Sequence, residues 1–275
     1  MTYFAECGDS CLIGPVRVQV ARRDAALAAI NDLLRPGAQG RGGRSDFIAF
    51  CNAHTVNLAR TNAVFAASLR RAMVLNDGVG VDIARKILYG APFPDNLQGT
   101  DLTSAVLARA ERPLRVFLLG SGPGVAERAA FKLQQRYPRH LFVGTHHGFF
   151  AESDGLAVAR SIADTEADLV LAGMGQPHQE LWAERYGRHT GALVMCVGAY
   201  LDFTAGVVKR APLWLQRARL EWAFRLAQEP RRLGSRYILG AGQFVAGLSR
   251  DLQGASPAGE PAFRSPFAEP ELEPR

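Results

Sequence analysis

The stretch RVFLLGSGPGVAERAA, residues 115–130, is the part of the chain that most clearly indicates its fold. A short apolar run is followed by a glycine-rich turn and then by a segment that favours a helix. Gly120, Gly122 and Gly124 stand where a parallel strand would end and a helix would begin. Such a turn presents backbone N–H groups and a helix N-terminus to a phosphate. The stretch therefore predicts an α/β fold with a phosphate- or nucleotide-binding loop.

The same alternation extends outward on both sides of this stretch. Apolar runs occur as FIAFC, LFVG, DLVLAG and ALVMCVG. Helix-like segments lie near residues 58–73, 125–137, 155–163 and 180–186. This rhythm predicts a Rossmann-like, mostly parallel sheet with helices on both faces.

The composition changes along the chain and suggests four regions. Residues 1–45 are expected to form a strand, a helix and a flexible loop, RPGAQGRGGR at 35–44. Residues 46–204 form the predicted α/β core, and residues 205–250 a basic helical appendage. Residues 251–275 combine prolines with glutamates and predict a disordered acidic tail.

The overall composition limits the class of protein. The chain has 275 residues, of which 48% are hydrophobic, and no apolar run approaches the roughly 18 residues that span a bilayer. It opens MTYFAECGDS, without the pattern of a signal peptide, and its four cysteines show no paired metal spacing. A reduced cytoplasmic protein is expected. The net charge of +6 suits a nucleic acid, an anionic membrane or a phosphorylated substrate, and does not decide among them.

Ligands of open α/β sheets bind beyond the carboxyl ends of the strands, so residues after each apolar run are candidates. After FIAFC come Asn52, His54, Thr55 and Asn57. Short polar side chains at this place either cap the following helix or hold a substrate's hydroxyl and amide groups. Both interpretations stay open on the sequence alone.

Asp77 precedes Gly78 and Gly80 between two helical patterns. A carboxylate on a tight turn can act as a general base for a hydroxyl. From spacing alone, a solvated Asp-Gly turn is the better interpretation, and Asp82 is a rival carboxylate.

After DLVLA comes GMGQPHQELW, which places Gly175, Gln176, Gln179 and Glu180 at a predicted helix start. Amide and carboxylate groups there can read a nucleobase, a ribose or a sugar. His178 is interpreted as a surface histidine. The chain lacks the P-loop, H-E-x-x-H and D-x-D patterns, which favours a mechanism without metal.

The segment RAPLWLQRARLEWAFRLAQEPRRLGSRY, residues 210–237, alternates arginines with aromatic residues. Guanidinium groups are shaped to hold a diphosphate through two hydrogen bonds, and aromatic neighbours suit a lipid-headgroup interface. A solvated basic helix packed on the core and a nucleic-acid groove are the alternatives. No nucleic-acid motif accompanies the charge.

Taken together, an ordered series of motifs resembles the WecG/TagA/CpsF glycosyltransferase family. The series is T-V-N at 55–57, N-D-G-V-G-V at 76–81, G-T-D-L at 99–102, L-L-G-S-G-P-G-V at 118–125, G-M-G-Q-P-H-Q-E at 173–180, V-G-A-Y-L-D-F-T-A-G at 197–206, R-A-P at 210–212 and L-E-W-A-F-R-L at 220–226. The resemblance extends from about residue 13 to residue 244.

The resemblance implies an inverting, metal-independent transfer of N-acetylmannosamine or a related hexose from UDP to an undecaprenyl-diphosphate-linked sugar. No cofactor is expected. The enzyme would sit peripherally on the inner face of the cytoplasmic membrane, drawn to its anionic surface, and would not bind nucleic acid. Asp77 becomes the catalytic base, which reverses the interpretation from spacing. The residues predicted to bind substrate are Thr55, Asn57, Gly120, Gly122, Gly175, Gln176, Gln179, Glu180, Arg210, Arg225, Arg232 and Arg236.

The sequence departs from the family pattern at three places: Asn96 replaces a usual arginine, E-W-A-F replaces the commoner Glu-Trp-Leu, and Ser235 stands where some members carry an arginine. The transferred sugar and the oligomeric state stay open, and glucosyl transfer to an exopolysaccharide precursor is the serious alternative. An NAD-dependent oxidoreductase would need an acidic ribose ligand after LFVG, where His146 and His147 stand instead. A binding module built on the basic helix is the alternative outside enzymes.

Overall fold

A computed structural model describes residues 10–35 and 47–254. In this part of the chain a six-stranded sheet has the order β4-β3-β8-β7-β5-β6, and every neighbouring pair is parallel. Its strands are β3 (Phe47–Cys51), β4 (Ala72–Asn76), β5 (Arg115–Gly120), β6 (Leu141–His146), β7 (Leu169–Gly173) and β8 (Leu193–Cys196). A separate antiparallel hairpin consists of β1 (Ser10–Ile13) and β2 (Val16–Gln19).

Helices surround the sheet. They are α1 (Arg23–Leu33), α2 (Ala53–Thr61), α3 (Ala63–Leu69), α4 (Val79–Tyr89), α5 (Gly99–Arg109), α6 (Val125–Arg136), α7 (Gly155–Ala163), α8 (His178–Tyr186), α9 (Tyr200–Ala205), α10 (Leu213–Arg217), α11 (Glu221–Gln228) and α12 (Pro230–Gly254). Short 3₁₀ turns occupy Glu152–Asp154 and Gly187–Thr190.

Apart from the edge strand β6, which is half-buried, the strands are buried on both faces, which confirms the predicted layers. Successive residues of a strand point to opposite faces, and on β3 Ile48 and Phe50 join one hydrophobic core whereas Phe47 and Ala49 join another. Continuous apolar runs such as LVLAG on β7 are expected where helices cover both faces of a parallel sheet. The α/β prediction is therefore confirmed.

The predicted helix near residues 58–73 was wrong in its extent. Asn62 has an extended backbone, and its side chain accepts a hydrogen bond from the N–H of Phe65 at 3.0 Å, so one helix ends there and another begins. Residues 72–76 then form β4. A short apolar run cannot be assigned to helix or strand by periodicity alone, and the predicted helix included Ala72 and Met73, the first two residues of β4. Asp77 consequently follows a strand.

The N-terminal region contains one strand more than expected, because β1 pairs with β2 across a turn at Gly14. Ile13, Val16 and Val18 are fully buried against the core that contains Phe47 and Ala49. Most of the predicted Gly/Arg loop lies outside the described residues.

The predicted C-terminal appendage is helical and packs on the core. Phe244 and Leu248 of α12 are buried, and Arg60 on α2 forms an ion pair with Asp251. Helix α12 continues to Gly254, beyond residue 250 where the appendage was expected to end. The remainder of the predicted tail lies outside the described residues. Across 10–35 and 47–254, each helix is too short or too polar to pass through a bilayer.

Candidate active site

A cavity of about 670 Å³ lies at the carboxyl edge of the parallel sheet. The chain runs from β5 outward to β6 but from β7 inward to β8, and ligands bind where strand connections diverge in this way. Every strand of the sheet is followed by a residue that lines the cavity: Asn52 after β3, Asp77 after β4, Ser121 after β5, Gly148 after β6, Gly175 after β7 and Gly198 after β8. Helices α10 to α12 supply further wall residues.

Asp77 stands on the turn between β4 and α4. Its backbone N–H donates to the carbonyl of Cys51 at 2.8 Å, which ties the turn to the end of β3. Gly78 follows with φ of +95°, a conformation that essentially only glycine adopts. The N–H of Gly78 donates to Oδ1 of Asn96 at 3.2 Å. The turn is thus fixed through its backbone, and the Asp77 carboxylate lines the cavity.

The rival carboxylate, Asp82, has a different environment. It is buried, its Oδ1 accepts a hydrogen bond from the N–H of Phe93 at 3.1 Å, and its Oδ2 pairs with Arg219. It is not among the described residues that line the cavity. Of the two carboxylate residues, Asp77 therefore lies at the cavity and Asp82 does not.

Cys196 lines the cavity, and Cys51 directly precedes Asn52, which also lines it. Burial raises the pKa of the Cys51 thiol, and Cys11 and Asp77 add to this effect. Burial also raises the pKa of the Cys196 thiol, assisted by Glu180. Both thiols are therefore protonated at neutral pH and are poor nucleophiles.

Thr55 is fully buried and acts on the site through Gln176. The helix begins with a capping box, in which Oδ1 of Asn52 accepts from the N–H of Thr55 at 3.2 Å and Oγ1 of Thr55 accepts from the N–H of Asn52 at 3.0 Å. The Thr55 hydroxyl also lies 3.1 Å from Oε1 of Gln176, and Nε2 of Gln176 donates to the carbonyl of Phe50 at 3.0 Å. Gln176 lines the cavity, so Thr55 orients a wall residue.

Gln179 joins two of the cavity loops. Its Oε1 accepts hydrogen bonds from the N–H groups of Gly175 at 3.1 Å and Gly198 at 3.2 Å. Its Nε2 donates to Oε1 of the buried Glu180 at 2.8 Å and lies 3.3 Å from the carbonyl of Cys196. The amide is thus occupied by protein groups and holds the turns after β7 and β8 together.

Asn57 lies at the contact between the core and the appendage. It lines the cavity, and its Nδ2 donates to the carbonyl of Gly240 on α12 at 2.7 Å. Its buried Oδ1 has no hydrogen-bond partner among the described residues. Such an acceptor is suited to a donor group of a ligand.

The glycine-rich loop after β5 approaches β7 closely. Gly120 has φ of +141°, and a Cβ there would lie 2.4 Å from the carbonyl carbon of Gly173. The N–H of Ser121 donates to the carbonyl of Gly173 at 3.1 Å. Gly122 lines the cavity just before α6 begins at Val125, so a helix N-terminus lies beside the cavity. Anion binding at this loop stays a prediction.

The arginines predicted to bind the diphosphate differ in their position relative to the cavity. Arg225 lines the cavity, its guanidinium lies 5.3 Å from the ring centre of Phe203, and its buried Nε has no hydrogen-bond partner among the described residues. Arg210 instead pairs with Asp101 at 2.7 Å and Glu221 at 3.1 Å. The side chains of Arg232 and Arg236 lie outside what the structure describes.

Several wall residues were not singled out as site residues from the sequence. These are Gln98, Phe149, Asp202, Phe203, Gln216, Arg219, Glu221 and Trp222. For Asp202 and Phe203 a signal existed, because they belong to the turn and helix that follow the last strand. Arg219 and Glu221 lie in the basic segment 210–237, but their contacts with Asp82 and Gln98 could not be predicted, because these partners are distant in sequence.

The described ranges 10–35 and 47–254 contain no group of three or more His, Cys, Asp or Glu side chains placed to hold a metal ion. Independence from metal stays a prediction.

The family described as "Glycosyl transferase WecG/TagA/CpsF family" matches residues 12–256. Similar proteins include N-acetylglucosaminyldiphosphoundecaprenol N-acetyl-beta-D-mannosaminyltransferases of Staphylococcus aureus strains MW2 and NCTC 8325 / PS 47. Each is 34% identical over 191 residues, which cover 68% of this chain and 74% of the relative. The chain therefore belongs to the WecG/TagA/CpsF family of glycosyl transferases.

Proposed function

We propose that this glycosyl transferase moves N-acetylmannosamine, or a closely related hexose, from UDP to an undecaprenyl-diphosphate-linked sugar, with inversion and without a metal ion. The observation that carries the proposal is the Asp77 carboxylate on a fixed turn in a cavity lined by glycine-rich loops and arginine. The volume of about 670 Å³ is in the range that encloses a ligand of nucleotide-sugar size. The names of the relatives support the sugar and the lipid-linked acceptor.

In the proposed reaction Asp77 accepts the proton of an acceptor hydroxyl as that oxygen attacks the anomeric carbon of the donor. A new bond forms between the acceptor oxygen and this carbon while the bond to the UDP oxygen breaks. The bonding electrons leave with UDP, and the attack from the opposite face inverts the configuration. The proton stays on Asp77 until solvent removes it.

The departing diphosphate gains negative charge, which requires cationic or dipolar partners. Arg225 supplies a guanidinium at the cavity wall, and the loop before α6 supplies a helix N-terminus. Pre-oriented groups of this kind commonly stabilise a transition state by several kcal/mol. Arg232 and Arg236 on α12 are predicted to add to this group.

A direct test measures UDP release from a panel of UDP-sugars, including UDP-N-acetylmannosamine and UDP-glucose, with a polyprenyl-diphosphate-linked acceptor. Turnover with one donor that requires the acceptor would establish the reaction and identify the sugar. Inversion is read from the anomeric configuration of the product by NMR. Undiminished turnover in excess EDTA is expected. If no donor is consumed and UDP does not bind, the proposal is wrong.

Replacing Arg225 by alanine should lower kcat/KM about a hundred-fold, because a charge-assisted contact to the leaving group is lost. Lysine at this position should recover part of the loss, since it keeps the charge but not the two-pronged geometry. Arg136→Ala is the matched control. The guanidinium of Arg136 also lies over an aromatic ring, 5.4 Å from the ring centre of Tyr137, but Arg136 does not line the cavity. Equal losses in both variants would remove Arg225 from the proposed site.

We further propose that the appendage contacts an anionic membrane surface at the cytoplasmic face. Leu213 and Trp214 at the start of α10 are 69% and 67% exposed, and Gln216 on the same helix lines the cavity. Exposed apolar side chains beside a basic segment favour an interfacial position. This arrangement would place the cavity next to a lipid-linked acceptor.

Changing both Leu213 and Trp214 to serine should weaken binding to vesicles containing anionic lipid by on the order of ten-fold, as measured by cosedimentation. The control is Phe131→Ser, because Phe131 is 67% exposed but lies on α6 of the core. Vesicle binding that is unchanged in the double variant would exclude this surface.

A further inference from the structure

Arg219, between α10 and α11, has an unusual backbone. The N–H of Arg219 donates to the carbonyl of Gln216 at 3.0 Å, and the N–H of Leu220 donates to that of Leu215 at 2.9 Å. This pair of bonds is the Schellman motif, whose left-handed position is usually glycine. Arg219 holds that position with φ of +58°, a conformation that costs an L-residue free energy. A side-chain interaction is therefore expected to offset this cost.

The interaction is an ion pair with Asp82. The guanidinium of Arg219 contacts Oδ2 of this buried carboxylate, whose Oδ1 is held by the N–H of Phe93. Asp82 lies in the first turn of α4, the helix that begins directly after Asp77 and Gly78. The contact thus joins the appendage to the helix of the catalytic turn, across 137 positions of sequence.

A second contact fixes the chain two residues later. Glu221 begins α11 and is buried; its Oε2 accepts from Nε2 of Gln98 at 2.9 Å and its Oε1 from Nε of Arg210 at 3.1 Å. Helix α11 then carries Trp222 and Arg225 to the cavity wall. The position of both side chains therefore depends on how the start of this helix is held.

We propose that Arg219 is a positioning residue: its pair with Asp82 holds the start of α11 against the core, so that the appendage wall and the catalytic turn form one unit. The expected effect on turnover rests on the proposed function. The structural role of the Arg219–Asp82 contact does not depend on which reaction is catalysed.

The decisive variant is Arg219→Gly, because it removes the guanidinium and supplies the residue that the turn favours. The relaxed turn favours the variant, but the buried Asp82 carboxylate loses its cation, so the thermal midpoint should fall modestly. Hydrogen exchange of the ligand-free protein, followed by mass spectrometry, should become about ten-fold faster for amides in residues 213–228 and stay unchanged in β3 and β7. Asp82→Asn, which keeps an acceptor for Phe93, should have the same local effect.

Glu166→Gly is the matched control. Glu166 is exposed and also left-handed, with φ of +50°, but does not line the cavity. It should leave exchange in residues 213–228 unchanged. If exchange in residues 213–228 is unchanged in both Arg219→Gly and Asp82→Asn, the Arg219–Asp82 contact does not hold this segment.

The kinetic test separates a positioning role from a general loss of stability. Arg219 itself lines the cavity whereas Asp82 does not, so the discriminating variant is Asp82→Asn. In this variant, as in Arg219→Gly, KM for the donor should rise about ten-fold while kcat changes little, and Arg219→Lys should recover part of the affinity. A normal KM despite faster exchange would overturn the positioning role. Hydrogen exchange is measured without substrate, so it tests the Arg219–Asp82 contact independently of the reaction. If the variants exchange faster but the natural protein consumes no UDP-sugar, the structural role of the contact is supported and only the proposed function is contradicted.

Discussion

Replacing Asp77 by asparagine is expected to lower kcat about a thousand-fold while donor binding and the fold stay close to those of the natural protein. Asparagine has the same shape but cannot accept the proton of the attacking hydroxyl. The turn should be preserved, because it is anchored by the Asp77 N–H bond to Cys51 and by the Gly78 bond to Asn96. UDP release gives the rate, and isothermal titration with UDP gives the affinity.

The matched comparison is Asp82→Asn, which changes the nearby carboxylate that does not line the cavity. We expect it to lose only about ten-fold in kcat/KM, through the contact with Arg219. If Asp82→Asn abolished turnover and Asp77→Asn kept more than about a tenth of it, the roles of the two carboxylates would have to be exchanged.

The second large effect concerns stability. Gly120→Ala should lower the free energy of unfolding by about 4 kcal/mol or prevent folding. The added Cβ would lie 2.4 Å from the carbonyl carbon and 2.6 Å from the carbonyl oxygen of Gly173, and neither backbone can retreat, because Gly120 and Gly173 are paired in the sheet. The φ of +141° adds strain for any L side chain. Urea unfolding followed by circular dichroism measures the change.

Gly122→Ala is the control two residues away. A Cβ at Gly122 would lie 3.8 Å from the side chain of Val125, which is an ordinary contact. The free energy of unfolding of this variant should therefore stay within about 1 kcal/mol of that of the natural protein. An equally stable Gly120→Ala variant would show that β5 and β7 can separate at this point, against the close approach seen here.

Local sequence was sufficient for the layers of this protein. The runs FIAFC, RVFLLG and LVLAG form strands β3, β5 and β7, and the glycine-rich loop ends at a helix as predicted. These features could be predicted because burial on both faces demands continuous apolar strands, and because a strand-to-helix turn requires particular residues. The short run at β4 was not recognised as a strand, because it follows the helical residues of α3 after only Arg70 and Arg71.

The roles of the candidate site residues could be predicted from the sequence less well than the fold. The T-V-N motif predicted two wall residues, but Thr55 is buried behind Gln176, whereas Asn57 lines the cavity. Gln179 was predicted to bind substrate, and its amide is engaged by the protein itself. Thr55, Gln179 and Arg210 stay predicted contributors to substrate binding. Their observed hydrogen bonds and ion pairs are with other protein groups, which suits a role in positioning those groups.

By itself the sequence determined the alternating α/β architecture, the glycine-rich loop and the family, because each depends on neighbouring residues or on ordered motifs. Only the tertiary structure decided that Asp77 rather than Asp82 faces the cavity, and that Arg219 ties the appendage to α4. The physical reason is that burial and ion pairing depend on partners brought together from distant parts of the chain. Arg219 and Asp82 are 137 positions apart, and no local pattern records their contact.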